Sequence, residues 1–425
     1  MPRTFWRTWL VPLLLAASLS TSAPPALGQT ATSAATEVFS GAAAKQQVVA
    51  LAAQIGSRPA GSASYDQAVR YAADQLQEWG YQPLQQSFPV QTFDDRGSSI
   101  EVSSTATHID AQTLMYSAAG DVEAPLVAAG TGRTDDLSAV DARGKLVLVA
   151  RGDLRFSDKL ANAAAAGALG LIVYNDSPGQ VQGSLVGPGS LPAVTIAGDS
   201  GQQLLGQLAA GPVGVHLRVD ASIEQRSGTN VIAELPASRP DAQTVVIGGH
   251  LDSVPAGPGA NDNGSGSAVV LELAHGLAQR DPSQRPYSLR FVLFGAEELG
   301  LYGSQAYVQS LSDADRQSIV AMLNLDMVGV GDQWRFGGSD DLVQLALGAA
   351  GDLGARALPL RGALAGASDH ASFLGAGIPA VFLYRVEDPN YHTAGDRPEL
   401  VDADALGQAG KIALAILDAL PVRGA

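Results

Sequence analysis

Five side chains able to hold a metal ion follow one another as His250, Asp262, Glu298, Asp326 and His392, with a second acid, Glu297, directly before the third. Three of these positions close apolar, strand-like runs: His250 ends TVVIGGH, Glu297 and Glu298 end LRFVLFGAEE, and Asp326 ends VAMLNLD. In an open parallel α/β sheet the carboxyl ends of the strands converge on one crevice, so residues scattered through the sequence can meet there. Imidazole and carboxylate ligands with a spare carboxylate beside them are the parts of a hydrolytic metal site.

Each motif also has a plainer reading. His250 alone would pass for a strand-end histidine, but Asp252 follows two residues on, where a carboxylate can accept the other ring N–H and fix the tautomer. Asp262, in NDNGSG ahead of a helix carrying Val269, Val270 and Leu273, would pass for an N-cap or turn residue. In the company of the other ligands we assign it as a bridge, since its two oxygens can face two cations. Glu297 and Glu298 would repel if buried together, unless one faces a cation and the other holds or exchanges a proton. YHTAGD supplies His392 with Tyr391 beside it. SDHASF supplies His370, either a donor to a substrate carbonyl or oxyanion, or a hydrogen-bonding support. His108, His216 and His275 lack such company and read as structural or surface residues, and Met322 and Met327 read as core.

The elements that must position these groups are visible in the periodicity. From Thr229 onward strands alternate with helices, expected at about Gly266 to Gln279, after Tyr302, near Asp341 to Leu353 and over Ala403 to Leu420; this alternation predicts an α/β sheet covered on both faces. Upstream, helices are expected within Ala42 to Ile55 and Tyr65 to Trp79, then alternating strands from Ser87 to Ala118. Residues 116–220 change character: LVLVARGD, the Ala-rich SDKLANAAAAGA and LGLIVYND form a β-then-α-then-β unit, read as an inserted domain that divides a catalytic domain of residues 29–115 and 221–425. The insert's loop acids Asp135, Asp136, Asp153, Asp158 and Asp176 read as turn and cap residues.

Composition narrows the function. A net charge of −16 without a basic stripe argues against nucleic-acid or anionic-membrane partners. With no cysteine, thiolate zinc sites and disulfides are excluded, leaving His and carboxylates as ligands. Arg3 and Arg7, the apolar run WLVPLLLAASL and the small residues up to Gly28 predict a signal peptide over residues 1–28, hence a secreted or periplasmic protein. The run is shorter than the ~20 residues of a membrane span, so no stable anchor is expected after cleavage.

GGHLDSVPAGPGANDNGSGSA, FVLFGAEELGLYGS, LNLDMVG, SDHASF and YHTAGD resemble the co-catalytic di-zinc aminopeptidase family, whose secreted members carry an inserted protease-associated domain; GKLVLVARGD and KLANAAAAGALGLIVYND resemble that insert. The resemblance implies an α/β fold, the phosphorylase/hydrolase-like three-layer sandwich of zinc exopeptidases, with a smaller β-rich α/β insert. It further implies two zinc ions, one on His250 and Asp326, the other on Glu298 and His392, with Asp262 bridging. Glu297 would be the general base, Asp252 would orient His250, and Tyr391 would lie near the oxyanion, while His370 stands where members vary. A cis peptide would join Asp262 to Asn263.

The expected activity is removal of N-terminal, apolar residues such as Leu from peptides by a monomer. A carboxypeptidase or dipeptidase of the same superfamily is the alternative, needing a cationic clamp such as Arg361 or Arg385; glutaminyl cyclase chemistry is another. A receptor-like ectodomain would have lost the ligands that are present here. The insert reads as a lid over the crevice, or as a module for partners.

Overall fold

The structure is a computed structural model that describes residues 38–362 and 366–421, so the signal peptide expected over residues 1–28 lies outside the described residues. Two helical segments come first. Ser40 caps the helix Gly41–Val49 by accepting from the Ala43 amide, and this helix runs on into a wider turn, Ala50–Ile55. Ser62 caps Ala63–Glu78 in the same way through the Tyr65 amide.

Strand β1 (Leu84–Val102) leads into β2 (Thr107–Ile109), β3 (Ala111–Thr113), β4 (Gly120–Ala128), β5 (Leu146–Ala150), β6 (Gly170–Tyr174) and β7 (Ala193–Ile196). Strand β8 (Gly214–Leu235) then returns antiparallel along nearly all of β1, from the pair Val102–Val215 to the pair Leu84–Ile232. β4, β5, β6 and β7 run parallel in that order, with the helix Phe156–Ala165 crossing between β5 and β6. Alternation sorts the side chains of β5: Leu146 and Leu148 pack toward Leu204 of the helix Gly198–Ala210, while Val147 and Val149 pack toward Leu160 and Ala163 on the other face.

Strands β9 (Thr244–His250), β10 (Ser288–Phe294), β11 (Ile319–Leu325), β12 (Gln333–Gly338), β13 (Ala357–Pro359) and β14 (Ala380–Val386) build the remaining half. The strand order is β13-β12-β14-β11-β9-β10-β8, continuing through β4-β5-β6-β7-β3, with β1 and β2 attached off this path. The strands of the insert are hydrogen-bonded into one continuous sheet with the rest of the chain through β8. β9 pairs parallel with both β10 and β11, starting from Thr244 against Ser288 and Ile319. In-register parallel starts put the three carboxyl ends on one edge.

All seven residues of β9 are buried, as in a strand covered on both faces. Val245 and Ile247 join Val269, Leu406 and Leu342 from three helices on one side. Val246 joins Tyr307 and Phe373 from the helices Tyr302–Ser310 and His370–Gly375 on the other. This is the expected helix–sheet–helix layering. Among the described residues, no helix is long and apolar enough to cross a membrane.

Candidate metal centre

His250 is the last residue of β9 and Asp326 the first beyond β11, while Glu297 and Glu298 follow β10 across Gly295 and Ala296. Asp262 lies in the loop between β9 and the helix Gly266–Ala278, and His392 in the loop after β14. The five meet. His250 Nε2 is 3.2 Å from Asp262 Oδ1 and 3.4 Å from Asp326 Oδ1. His392 Nε2 is 3.1 Å from the other oxygen of Asp262 and 3.0 Å from Glu298 Oε2. Asp262 thus stands between two imidazoles with one oxygen toward each. Glu297 Oε2 lies further out, 4.0 Å from His250 Nε2.

These residues fit a metal by their own geometry. His250, Asp262 and Glu298 each present a ligand atom within 4.8 Å of the others. His250 Nε2, Asp326 Oδ1, Glu298 Oε1 and His392 Nε2 are all buried, and none is in line for a hydrogen bond. Buried polar atoms left without a partner are costly, and four of them on these clustered ligand residues are explained by bound cations. A mixed imidazole–carboxylate set without sulfur suits zinc.

The supporting contacts explain why the loops hold this shape. His250 Nδ1 faces the Asp252 carbonyl at 3.2 Å and the Asp252 carboxylate at 3.6 Å. That carboxylate also accepts the amides of Glu297 at 3.2 Å and Glu298 at 3.3 Å, so it anchors the turn of the paired acids as well as flanking the ring. Asn263, and not Asp262, bonds the start of the following helix: its Oδ1 accepts the Gly266 amide at 2.8 Å while its Nδ2 donates to the Leu325 carbonyl at 2.9 Å. The peptide between Asp262 and Asn263 is cis. Gly266 is required there because a Cβ would fall 2.0 Å from the Leu325 oxygen.

Two supporting residues, Asp396 and Ser368, and one buried acid, Asp369, escaped the sequence reading. Asp396 accepts the Asn261 and Asp262 amides at 2.7 and 3.0 Å. Ser368 donates to Asp326 Oδ2 at 2.6 Å and accepts from Asn324 at 2.7 Å. Asp369 is fully buried, which pushes it up to about 7. All three sit inside the motifs YHTAGD and SDHASF, whose clustered small polar residues were the available signal.

The remaining expected residues separate clearly. Tyr391 stacks on the His392 ring at 3.8 Å and stands 51% exposed at the mouth of a pocket of about 130 Å³. Met327, expected in the core, lines that pocket with Ala367, Phe382 and Tyr384. His370 is fully buried and stacked on Phe382 at 4.8 Å, and it is not among the residues that line the pocket. Arg385 is committed elsewhere: it lies 5.0 Å over Trp334 and donates to Gln408 at 3.1 Å. His216 pairs with Asp121 at 2.6 Å, and His275 stacks on Trp79 at 4.7 Å.

Burial and mutual charge shift the acids. Burial, with Glu298, Asp326 and Asp369 adding to it against His250, holds Glu297 well above the ordinary carboxylate range. Burial and the charge of Asp262 push Glu298 up to about 7. For His392 burial opposes protonation, but the adjacent Asp262 and Glu298 outweigh it and raise the ring to about 10. A metal ligand must shed its proton. The sign follows: with His392 protonated below about 10 and Glu298 competing below about 7, metal binding releases protons and tightens as pH rises. We expect zinc affinity to increase by at least about tenfold per pH unit from 6 to 9, one proton being displaced per ion. Chelator competition across that range measures it, and a flat profile would contradict the assignment of His392.

Comparison with known proteins decides the family. Residues 230–417 match the model of peptidase family M28, and residues 122–204 match the PA domain. Aminopeptidase YwaD of Bacillus subtilis is 34% identical over 396 residues, covering 86% of this chain and 81% of that protein. The chain belongs to peptidase family M28. It is a hydrolase of peptide bonds with the zinc-aminopeptidase fold and an inserted PA domain. A solved aminopeptidase from Aneurinibacillus sp. strain AM-1 superposes with a TM-score of 0.83 at 31% identity, over 90% of this chain and 94% of the other. The zinc aminopeptidase BSAP from Bacillus subtilis gives 0.72 at 30% identity, over 89% and 94%. The M28 match contains every ligand position from His250 to His392.

Proposed function

We propose that this chain is an exported zinc aminopeptidase that removes apolar N-terminal residues from peptides. The observation that carries the reading is the pocket beside the converging ligands: it is lined by Asp262, Glu297, Glu298 and Asp326 together with apolar and aromatic side chains, and among the described residues no Arg or Lys lines it. With Asp262, Glu298 and Asp326 taken up as metal ligands in this reading, what favours a free-amine over a free-carboxylate substrate is the lack of such a cation among the described lining residues. A carboxypeptidase would need a cation there, and Arg385 is packed on Trp334 instead. The names of the relatives, aminopeptidases in each case described above, support the same choice.

In this reading His250 and Asp326 would hold one zinc ion, Glu298 and His392 the other, and Asp262 would bridge. Bound zinc supplies Lewis acidity toward the scissile carbonyl and acidity to a water. Glu297, raised by burial, takes the proton of the attacking water on its carboxylate and passes it to the leaving amine. Asp252 keeps Glu297 in place through its amide. Tyr391, whose hydroxyl burial pushes upward, stays protonated and can donate to the oxygen that gains charge. Met327, Phe382 and Tyr384 would receive the apolar side chain. The insert serves as a lid, a role supported by Tyr116, whose hydroxyl lies 3.4 Å from the carbonyl of Leu299, the residue after Glu298.

Leucine p-nitroanilide is expected to be cleaved, and its N-acetyl derivative to react at least about a hundredfold more slowly, because an amide nitrogen lacks the basic lone pair of the free amine and the site loses the contact made for it. Comparison of kcat/KM for the two tests this. Cleavage of an N-blocked peptide from its free carboxyl end would sink the aminopeptidase reading.

A further inference from the structure

Arg58 lies in the turn between the first two helical segments, with nothing in its sequence context to mark it. Its side chain is completely buried. Nε donates to the Leu251 carbonyl at 2.7 Å, Nη2 to Gly259 at 2.8 Å, and Nη1 to Pro258 at 2.5 Å and Gly56 at 3.3 Å. Three of those carbonyls lie 193 to 201 residues further along the chain, at the two ends of one loop. Leu251 directly follows the ligand His250, and Gly259 is three residues before Asp262. The Arg58 backbone joins in, its amide donating to Ser253 Oγ at 3.0 Å and its carbonyl accepting from the Ser253 amide at 3.3 Å.

We propose that Arg58 is the positioning residue of the metal centre, its planar fork fixing the loop that sets His250 and Asp262 at their mutual distance. The Gly259 carbonyl that Nη2 reaches also accepts the Gly264 amide at 3.0 Å, closing the turn on which Asp262 is carried. Gly259 itself has φ +58, and a Cβ there would fall 2.4 Å from the Asp262 oxygen, so this turn has little room to settle elsewhere. A guanidinium presents five donors in one plane, a pattern that a lysine ammonium cannot reproduce. None of the four bonds goes to a carboxylate. Burial lowers the guanidinium to about 10, and the charges of Asp252, Asp396, Asp262 and Glu298, acting through space, oppose that only in part. Without the fork, the Leu251 carbonyl would lose its buried donor and the half-buried Pro258 carbonyl its partner, and the loop would move to satisfy them.

The proposal rests on the two-zinc reading above, and its test separates the two. Zinc is titrated into the chelator-stripped full chain of the native protein, Arg58→Met and Arg58→Lys, with a chromophoric chelator reporting free metal. We expect Arg58→Met to bind zinc at least about tenfold more weakly, the scale seen for residues that orient ligands, with Arg58→Lys recovering little of the loss. Native affinity in Arg58→Met, even with a lowered Tm, would mean a merely structural arginine and overturn the proposal. Native affinity in Arg58→Lys would overturn the role of the fork. Should neither variant fold, Ser253→Ala carries the test: a loss of about two- to fivefold, the scale of one weakened hydrogen bond, supports the proposal and an unchanged affinity overturns it. If the native chain takes up no zinc, the reading of the site fails and this proposal falls with it.

Discussion

Glu297→Gln is expected to lower kcat by about 10²- to 10⁴-fold while leaving the zinc content of the protein unchanged, the range for loss of a general base. Gln has the shape of Glu but cannot take up the proton of an attacking water. Nothing else in the site need move. The residue's amide remains held by Asp252 at 3.2 Å, and Glu297 stands back from the imidazoles, 4.0 Å from His250 against 3.2 and 3.4 Å for the acids assigned as ligands. Metal analysis beside steady-state kinetics makes the distinction. A variant within a few-fold of native activity would remove Glu297 from the mechanism, and one that lost its zinc would make it a ligand.

Asp262→Ala should do the opposite, removing zinc and activity together. Its two oxygens face His250 and His392 at 3.2 and 3.1 Å, and with them gone the nearest carboxylate oxygen to each Nε2 is that of Asp326 at 3.4 Å for His250 and of Glu298 at 3.0 Å for His392. Burial raises the Asp262 carboxyl, but the two histidines outweigh it and hold it below the ordinary range, so it is ionised and ready to bind at any pH of interest. Residues that only orient ligands cost about 10- to 100-fold in metal affinity, so loss of the shared ligand should exceed about a hundredfold. Affinity measured by chelator competition checks this. An Asp262→Ala protein that kept both zinc and turnover would deny the bridge.

What the sequence made legible follows from local periodicity. His250, the Glu297–Glu298 pair and Asp326 stand where apolar strands stop, and β9, β10 and β11 start in register, so convergence could be argued from pattern alone. Asp252 was legible as a neighbour of His250, but its second hold, on the amides after β10, depends on a contact 45 residues away. Contacts of that kind leave no period. β1 was visible only as an alternating stretch because its partner, β8, begins more than 100 residues later, and a register break between Asp95 and Ser98 interrupts it. Met327 reads as core because it follows an apolar strand, and it is buried as expected, but its place in the pocket lining was not legible. Arg58 resembles any surface arginine before a proline until the loop it holds is folded around it.

The centre of the account is that hydrolysis of a free-amine substrate depends on zinc held by these His and carboxylate side chains. The most direct measurement strips the native protein with a chelator and adds zinc back in steps, following leucine p-nitroanilide turnover against zinc bound per chain. The account predicts negligible turnover in the stripped protein and recovery that levels off near about two ions per chain, as a two-metal site requires. Full turnover without zinc, or zinc uptake that restores no cleavage of the free-amine substrate, would contradict it.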